Sequence, residues 1–221
     1  DVWIEDGIAY SSNWADGVVA VDIGAKKHKE ADRSKSQFNP LLAKAGQGSP
    51  SNPIKLAEMK DPTGRNHAAF PYTSESTGQF YIVGGDENFP WGVMATKNKP
   101  SNPRGAYHFL NFTDPENPTE DAIYEVPEAG SHNLWIYGDM LLAGNYQGGF
   151  RVVDISGELL GDIYKQGREI AHYLSYHEKG RIANAPMVWG AQPYKDYIFF
   201  SDMNSGLYCV QLEEESSSST D

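Results

Sequence analysis

Residues 1–24, DVWIEDGIAYSSNWADGVVAVDIG, can be laid without a gap on residues 133–156, NLWIYGDMLLAGNYQGGFRVVDIS. Trp3 meets Trp135, Ile4 meets Ile136, Asn13 meets Asn145, Trp14 meets Tyr146, Gly17 meets Gly149, and Val21-Asp22-Ile23 meets Val153-Asp154-Ile155, all at a constant offset of 132. A repeat constrains a chain more tightly than composition does. Each unit is one supersecondary module that cannot bury its faces alone, so the fold must stack the modules.

Two further copies follow. In QPYKDYIFFSDMNSGLYCVQL, Asp202, Gly206 and Val210 fall on Asn145, Gly149 and Val153, and a looser copy runs from HAAFPYTSESTGQFYIVGGDENF to GAYHFLNFTDPENP, interrupted after Asp86. The internal grammar is shared: short strand, polar turn, alternating strand, Gly-bearing turn, apolar strand ending near Asp. After that Asp most units carry Pro or Gly and a further strand-like piece, as in NPIKLAEM, NPTEDAIYEV and GDIYKQG. Four antiparallel strands per unit of about 40–50 residues, repeated radially, predict an all-β chain built as a β-propeller, with a sandwich as the competing architecture. Gly 22, Pro 13 and 12% aromatic residues suit many strands joined by tight turns.

The expected organisation is a propeller over residues 1–212, with units at 1–59, 66–126, 131–167 and 186–212. Insertions are expected at 25–51 (with one short helix near NPLLAKAG), 87–104 and 168–185, and residues 213–221 read as a disordered acidic, Ser-rich tail.

Thirty acidic against 18 basic side chains leave a net charge of −12, which repels a phosphate backbone and argues against nucleic acid. No apolar stretch reaches the ~18 residues of a membrane span. The one cysteine, Cys209, sits in an apolar run and is expected to be a small buried hydrophobe. There is no P-loop, dinucleotide fingerprint, nucleophile elbow, HExxH or CxxC motif, and Ser131 and His132, as chain neighbours on a strand, would point to opposite faces.

GVVAVDIG, GGFRVVDIS and GAYHFLNFTDPENP resemble the LVIVD repeat, and the pieces from SHNLWIYGD to GREIA and from PMVWGAQPY to YCVQL resemble the C-terminal blades of bacterial LVIVD-repeat proteins. That resemblance implies an exported or surface-anchored β-propeller, hence an extracytoplasmic location. It covers most of the chain apart from 25–51 and the tail, and is specific for fold rather than activity. Asn111 and Gln211 stand where Asp22 and Asp154 carry a carboxylate, so a charge in every blade is not required. Because the partner of His132 would fall before the first residue, the chain is expected to be part of a larger ring, lacking its first blades and any export signal.

Innermost strands of a propeller line a central channel. Asn66, His67, His132, Asn133, Trp189 and Gln192 are therefore the channel and ligand candidates, with His67 and His132 as candidate ligands for a divalent metal, against the simpler role of satisfying buried backbone. Asn13, Asp86, Asn145 and Asp202 recur at the end of the second strand and read as turn-stabilising, as do Asp22 and Asp154 after the third strand and Gly17, Gly149 and Gly206 in the turns. Adjacent carboxylates at Asp86 and Glu87 could bind Ca²⁺, against an exposed acidic loop.

Three functions follow as expectations. A non-enzymatic scaffold would bind a protein or glycan through its long loops; a metal-dependent propeller enzyme would use a His-lined channel; and a structural subunit would belong to a larger surface assembly.

Overall fold

The computed structural model describes residues 1–27, 38–89 and 104–213. Parts of the expected insertions at 25–51 and 87–104, and all but the first residue of the expected tail, lie outside the described residues.

The chain forms four consecutive antiparallel sheets. The first holds β1 (Val2–Glu5), β2 (Ile8–Ser12), β3 (Val18–Asp22) and β4 (Ile54–Met59) in chain order. The second holds β5 (Asn66–Thr73), β6 (Phe80–Asp86), β7 (Ala106–Asn111) and β8 (Thr119–Glu125). The third holds β9 (Leu134–Tyr137), β10 (Met140–Gly144), β11 (Phe150–Asp154) and β13 (Glu169–Tyr173), while the two-residue β12 (Gly161–Asp162), between β11 and β13 in the chain, is a fifth strand at the edge of the second sheet. The fourth has three strands, β14 (Val188–Tyr194), β15 (Tyr197–Asp202) and β16 (Gly206–Val210). One short 3₁₀ turn, Pro40–Ala43, is capped by Asn39, whose side chain accepts from the Leu41 N–H. Among the described residues no helix is long and apolar enough to cross a membrane.

The third unit departs from its sequence reading. GDIYKQG does not supply its fourth strand, because Gly161 and Asp162 pair in parallel with Ala122 and Ile123 of β8, in the sheet before. Glu169–Tyr173, inside the expected insertion, pairs with β11 instead. The glycines at both ends of GDIYKQG turn the chain (Gly161 φ 62°, Gly167 φ 73°), which leaves too little extended backbone for a ladder.

Three apolar layers lie between successive sheets. Ile8, Tyr10, Val18 and Ala20 meet Phe80, Ile82 and Leu110; Tyr81, Val83 and Phe109 meet Leu134, Leu141 and Val153; Leu142, Phe150 and Val152 meet Val188, Ile198 and Phe200. This explains why FYIVGGD in β6 reads as an unbroken apolar run while β2 and β3 alternate. The second sheet is covered on both faces, so every residue of β6 is buried, whereas the first is covered on one. The outer faces of the end sheets are open: Val2 and Ile4 on one, Tyr197 and Leu207 on the other, are exposed. Cys209 lies on that last face and is exposed rather than buried, because none of the described residues forms a further layer over β16.

The repeated turn has one geometry. After Asn13 and Asn145, the next residues, Trp14 and Tyr146, take left-handed φ values of 52° and 46° and bridge to the first strand of the following sheet, at Asn66 and Val188. Gly17 and Gly149 follow with φ of 76° and 79°, where a Cβ would sit 2.2 Å from the Met59 carbonyl oxygen and 2.4 Å from that of Tyr173. Only glycine meets both requirements.

The aspartates near strand ends are hydrogen-bond hubs. Asp22 accepts five backbone N–H groups, from Gly24 and Ala25 on one oxygen and Gly46, Gln47 and Gly48 on the other, pinning the insertion to β3. Burial would raise its pKa, but these donors outweigh it and hold the carboxyl well below the usual carboxylate range. Asp202 accepts from the Asn204, Ser205 and Met187 N–H groups and from the Ser175 hydroxyl. Asp154 accepts from the Ser156 N–H.

Candidate metal centre

The first strands β1, β5, β9 and β14 lie side by side and line a cleft of about 520 Å³. Trp3, Phe70, Trp135 and Gln192 occupy the same register position in their sheets, opposite Tyr10, Val83, Leu142 and Phe199, and all four line the cleft. The three aromatic rings touch: Trp3 is 4.3 Å from Phe70 and 4.9 Å from Trp135 between centroids, and Phe70 is 5.6 Å from Trp135.

Three residues earlier in the chain stand His67, His132 and Trp189. The His67 and His132 rings are 4.3 Å apart between centroids, and Trp189 stacks on the far side of His132 at 5.4 Å and 12°. Glu87, one residue beyond β6, completes the group. Its Oε2 lies 3.3 Å from His67 Nδ1, its Oε1 lies 3.9 Å from His132 Nε2, and Tyr146 donates its hydroxyl to Oε1 at 2.9 Å. One ligand atom from each of His67, Glu87 and His132 lies within 4.8 Å of the other two.

The backbone explains the convergence. Asn66 of β5 pairs with Asp86 of β6, so His67 and Glu87 leave adjacent strand ends together, helped by a bulge between Asn66 and Ala68. His132 is held from the neighbouring sheet by its own N–H to the Gly144 carbonyl at 3.0 Å.

His132 is oriented for ligation. Its Nδ1 lies 2.9 Å from the Trp189 carbonyl oxygen, which can only accept, so Nδ1 carries the proton and Nε2 presents a lone pair towards Glu87 and His67. Burial, with His67 beside it, pushes the His132 pKa down to about 4. Burial also lowers His67, against the opposing charge of Glu87. Both imidazoles are therefore neutral near pH 7, the form that binds metal. Two imidazoles, one carboxylate and a second layer of Tyr146 and the Trp189 carbonyl make a donor set suited to Zn²⁺ or Fe²⁺, with coordination positions left open.

The other sequence candidates divide. Trp189 and Asn133 border both this group and the cleft, and Gln192 is exposed at the cleft wall. The Asn133 side-chain oxygen is buried without a hydrogen-bond partner among the described residues. Asn66 turns inward, donating to the Ala68 carbonyl, so it does not join the cleft. The expected Ca²⁺ pairing of Asp86 and Glu87 is corrected. Strand alternation sends Glu87 to the two histidines, while Asp86 is buried against Thr63, the Ala106 N–H and His108. Glu87 as a partner of His67 and His132 was not legible in sequence, because the three residues meet only across two sheets. Tyr146 also holds Glu87. Its legible signal was its alignment with Trp14, two aromatic residues at one recurrent left-handed position.

No family model and no curated protein matches the chain. Among solved structures, the computationally designed Ika4 protein is similar, with a TM-score of 0.52 at 10% identity over 96% of this chain and 89% of that chain. The computationally designed Ika8 protein aligns over 96% of this chain and 57% of its own, at 11% identity and a TM-score of 0.43. The first likeness supports the overall fold and nothing about activity.

Proposed function

We propose that the four sheets are blades of a β-propeller and that the protein binds a divalent transition metal at the mouth of its axial channel, through His67, Glu87 and His132. The carrying observation is the His132 tautomer: a ring whose Nδ1–H is committed to the Trp189 carbonyl aims an unprotonated Nε2 at a carboxylate and a second neutral imidazole. Stacking of like aromatic positions, Trp3 on Phe70 and Trp135, supports the radial arrangement. A metal held there supplies a Lewis acid facing the cleft. Trp189, Asn133 and the Trp3, Phe70 and Trp135 rings would shape what reaches it. Membership of the LVIVD-repeat family and an extracytoplasmic location are proposed from the sequence motifs alone.

Elemental analysis of protein purified without chelator tests this reading. A stoichiometric transition metal, diminished by one equivalent in both His132→Ala and Glu87→Gln, is the expected result. Metal content that neither substitution changes, or none in the parent protein, would overturn it.

The interaction-scaffold reading has one observation in its favour, the exposed apolar side chains of the end sheets, Ile4 and Tyr197 outside the cleft and Val2 and Leu207 at its wall. If these side chains bind protein, size-exclusion chromatography should show self-association that Ile4→Lys and Leu207→Lys abolish. A parent protein that is monomeric at all concentrations and captures no partner removes that reading.

A further inference from the structure

A second group of ionisable side chains lies inside the second sheet, away from the cleft. Asp61, on the loop after β4, Asp86, at the end of β6, and His108, in β7, are all buried, at 6%, 0% and 3% exposure. One ligand atom of each lies within 4.8 Å of the other two. His108 Nε2 and Asp61 Oδ2 have no hydrogen-bond partner among the described residues, although both belong to side chains more than nine-tenths buried. His108 Nε2 faces Asp86 Oδ2 at 3.4 Å, an ion-pair distance without hydrogen-bond geometry. Leaving such atoms unpaired in the interior is unfavourable, the more so for charged groups.

Three further features indicate what would fill the gap. First, His108 Nδ1 sits 2.5 Å from Glu120 Oε1, the carboxylate–imidazole pairing that fixes the proton on one ring nitrogen and frees the other for a metal. Second, the Thr63 hydroxyl lies 2.7 Å from Asp61 Oδ1 and 2.6 Å from Asp86 Oδ1, yet it has one proton and can donate to only one of them. The remaining contact sets lone pair against lone pair, which a cation between the carboxylates would relieve. Third, Asp61 and Asp86 bring two buried carboxylates to one imidazole whose other nitrogen faces the solvent-reaching Glu120, so a proton on His108 leaves one buried negative charge uncompensated.

We propose that Asp61, Asp86 and His108 form a second, interior binding site for a divalent first-row metal, with Mn²⁺ and Zn²⁺ as the ions suited to two carboxylates and one imidazole. The site is closed, so its ion is structural: it joins the loop after the first sheet to the two middle strands of the second. Glu120 orients His108, and the Thr63 and Gly64 N–H groups hold the other oxygen of Asp61.

The competing occupant of the same space is a proton. Burial disfavours the imidazolium, but Asp86 and Glu120 would raise the His108 pKa to about 10 in a metal-free site. The two occupants differ in their response to Asp61→Asn, which keeps side-chain size and removes one anionic ligand.

The experiment uses the full chain in a His67→Ala/His132→Ala background, which removes the cleft histidines. The protein is unfolded in chelator, then refolded with chelator, Mn²⁺ or Zn²⁺, and assayed for bound metal and melting temperature. One retained equivalent of Mn²⁺ or Zn²⁺ and a higher melting temperature with metal are expected, with Asp61→Asn and His108→Ala abolishing both effects. A refolded protein that retains no metal, or an Asp61→Asn variant that retains the full equivalent or is more stable than its parent in metal, would overturn the proposal. Should His108→Ala fail to fold, Asp61→Asn still decides.

Discussion

Trp3 and Trp135 meet edge to face, ring centroids 4.9 Å apart at 87°, although 132 positions separate them in the chain. They occupy the same register position in the first strand of their sheets, so residues equivalent in sequence have become neighbours in space. Both rings are half-buried, and each should contribute less than a fully buried Trp. Trp135→Ala is expected to cost about 2–3 kcal/mol in urea unfolding, below the 3–5 typical of buried Trp. A double-mutant cycle with Trp3→Ala should return a coupling of about 0.5–1.5 kcal/mol. Strict additivity would show that the rings do not support each other.

The turn glycines should separate by surroundings rather than by φ alone. Gly17→Ala and Gly149→Ala place a Cβ against backbone of the fourth strand as well as forcing a left-handed alanine. Gly206 has φ of 107° but nothing within 4 Å among the described residues, which give the fourth sheet three strands. Gly17→Ala and Gly149→Ala should each lower stability by about 2–4 kcal/mol, and Gly206→Ala by about 1. Equal shifts in melting temperature for all three would contradict this.

Asp22 links stability to pH. Its folded pKa lies below the ordinary 3.8, so its stabilisation is complete above that value and lost as pH falls through the folded pKa. Asp22→Asn must set an amide N–H₂ against either the Gly24 and Ala25 donors or those of Gly46, Gln47 and Gly48. The cost at pH 7 should be about 2–4 kcal/mol, shrinking towards pH 3. Denaturant unfolding at the two pH values would check both sign and size.

His132 acts in a different window. In the metal-free protein its pKa is about 4, against an ordinary 6.5, so between those values the unfolded chain binds a proton that the folded one refuses. Stability should therefore fall as pH drops from about 6.5 to 4 and then cease to depend on this residue. His132→Gln should flatten that limb. Should the variant and parent show parallel pH profiles, His132 is not held neutral.

Tyr146→Phe removes the hydroxyl that fixes Glu87 without touching any of the three ligands. Metal titration of this variant should show unchanged stoichiometry at saturation and an affinity lower by about 10- to 100-fold. Unaltered affinity would mean that Tyr146 only packs against His132, 5.2 Å away between ring centroids.

Local pattern carried the sheet architecture into the sequence, because strand alternation, turn glycines and strand-end aspartates act over a few residues and repeat. Asn13 matches Asn145 and Gly17 matches Gly149 in the repeat, and the left-handed residues Trp14, Tyr146, Gly17 and Gly149 share one turn geometry. The third unit was misread at its fourth strand, since GDIYKQG and GREIAHY are both short and polar. Only β11, by pairing with Glu169–Tyr173, chooses between them. Cys209 was misread for a related reason: an apolar run does not say whether another layer covers it.

His67 and His132 were recognisable as inward candidates because strand register follows from the repeat. Sequence alone also determined the charge, the repeat spacing and the residues able to occupy left-handed turns. Tertiary structure alone brought Glu87 between the two histidines, sent its neighbour Asp86 to Asp61 and His108, and gave His132 the Trp189 carbonyl. Alternation can say that adjacent side chains diverge, but which partners they reach depends on how whole sheets pack, and that is decided by the summed burial of three apolar layers rather than by any local stretch of chain.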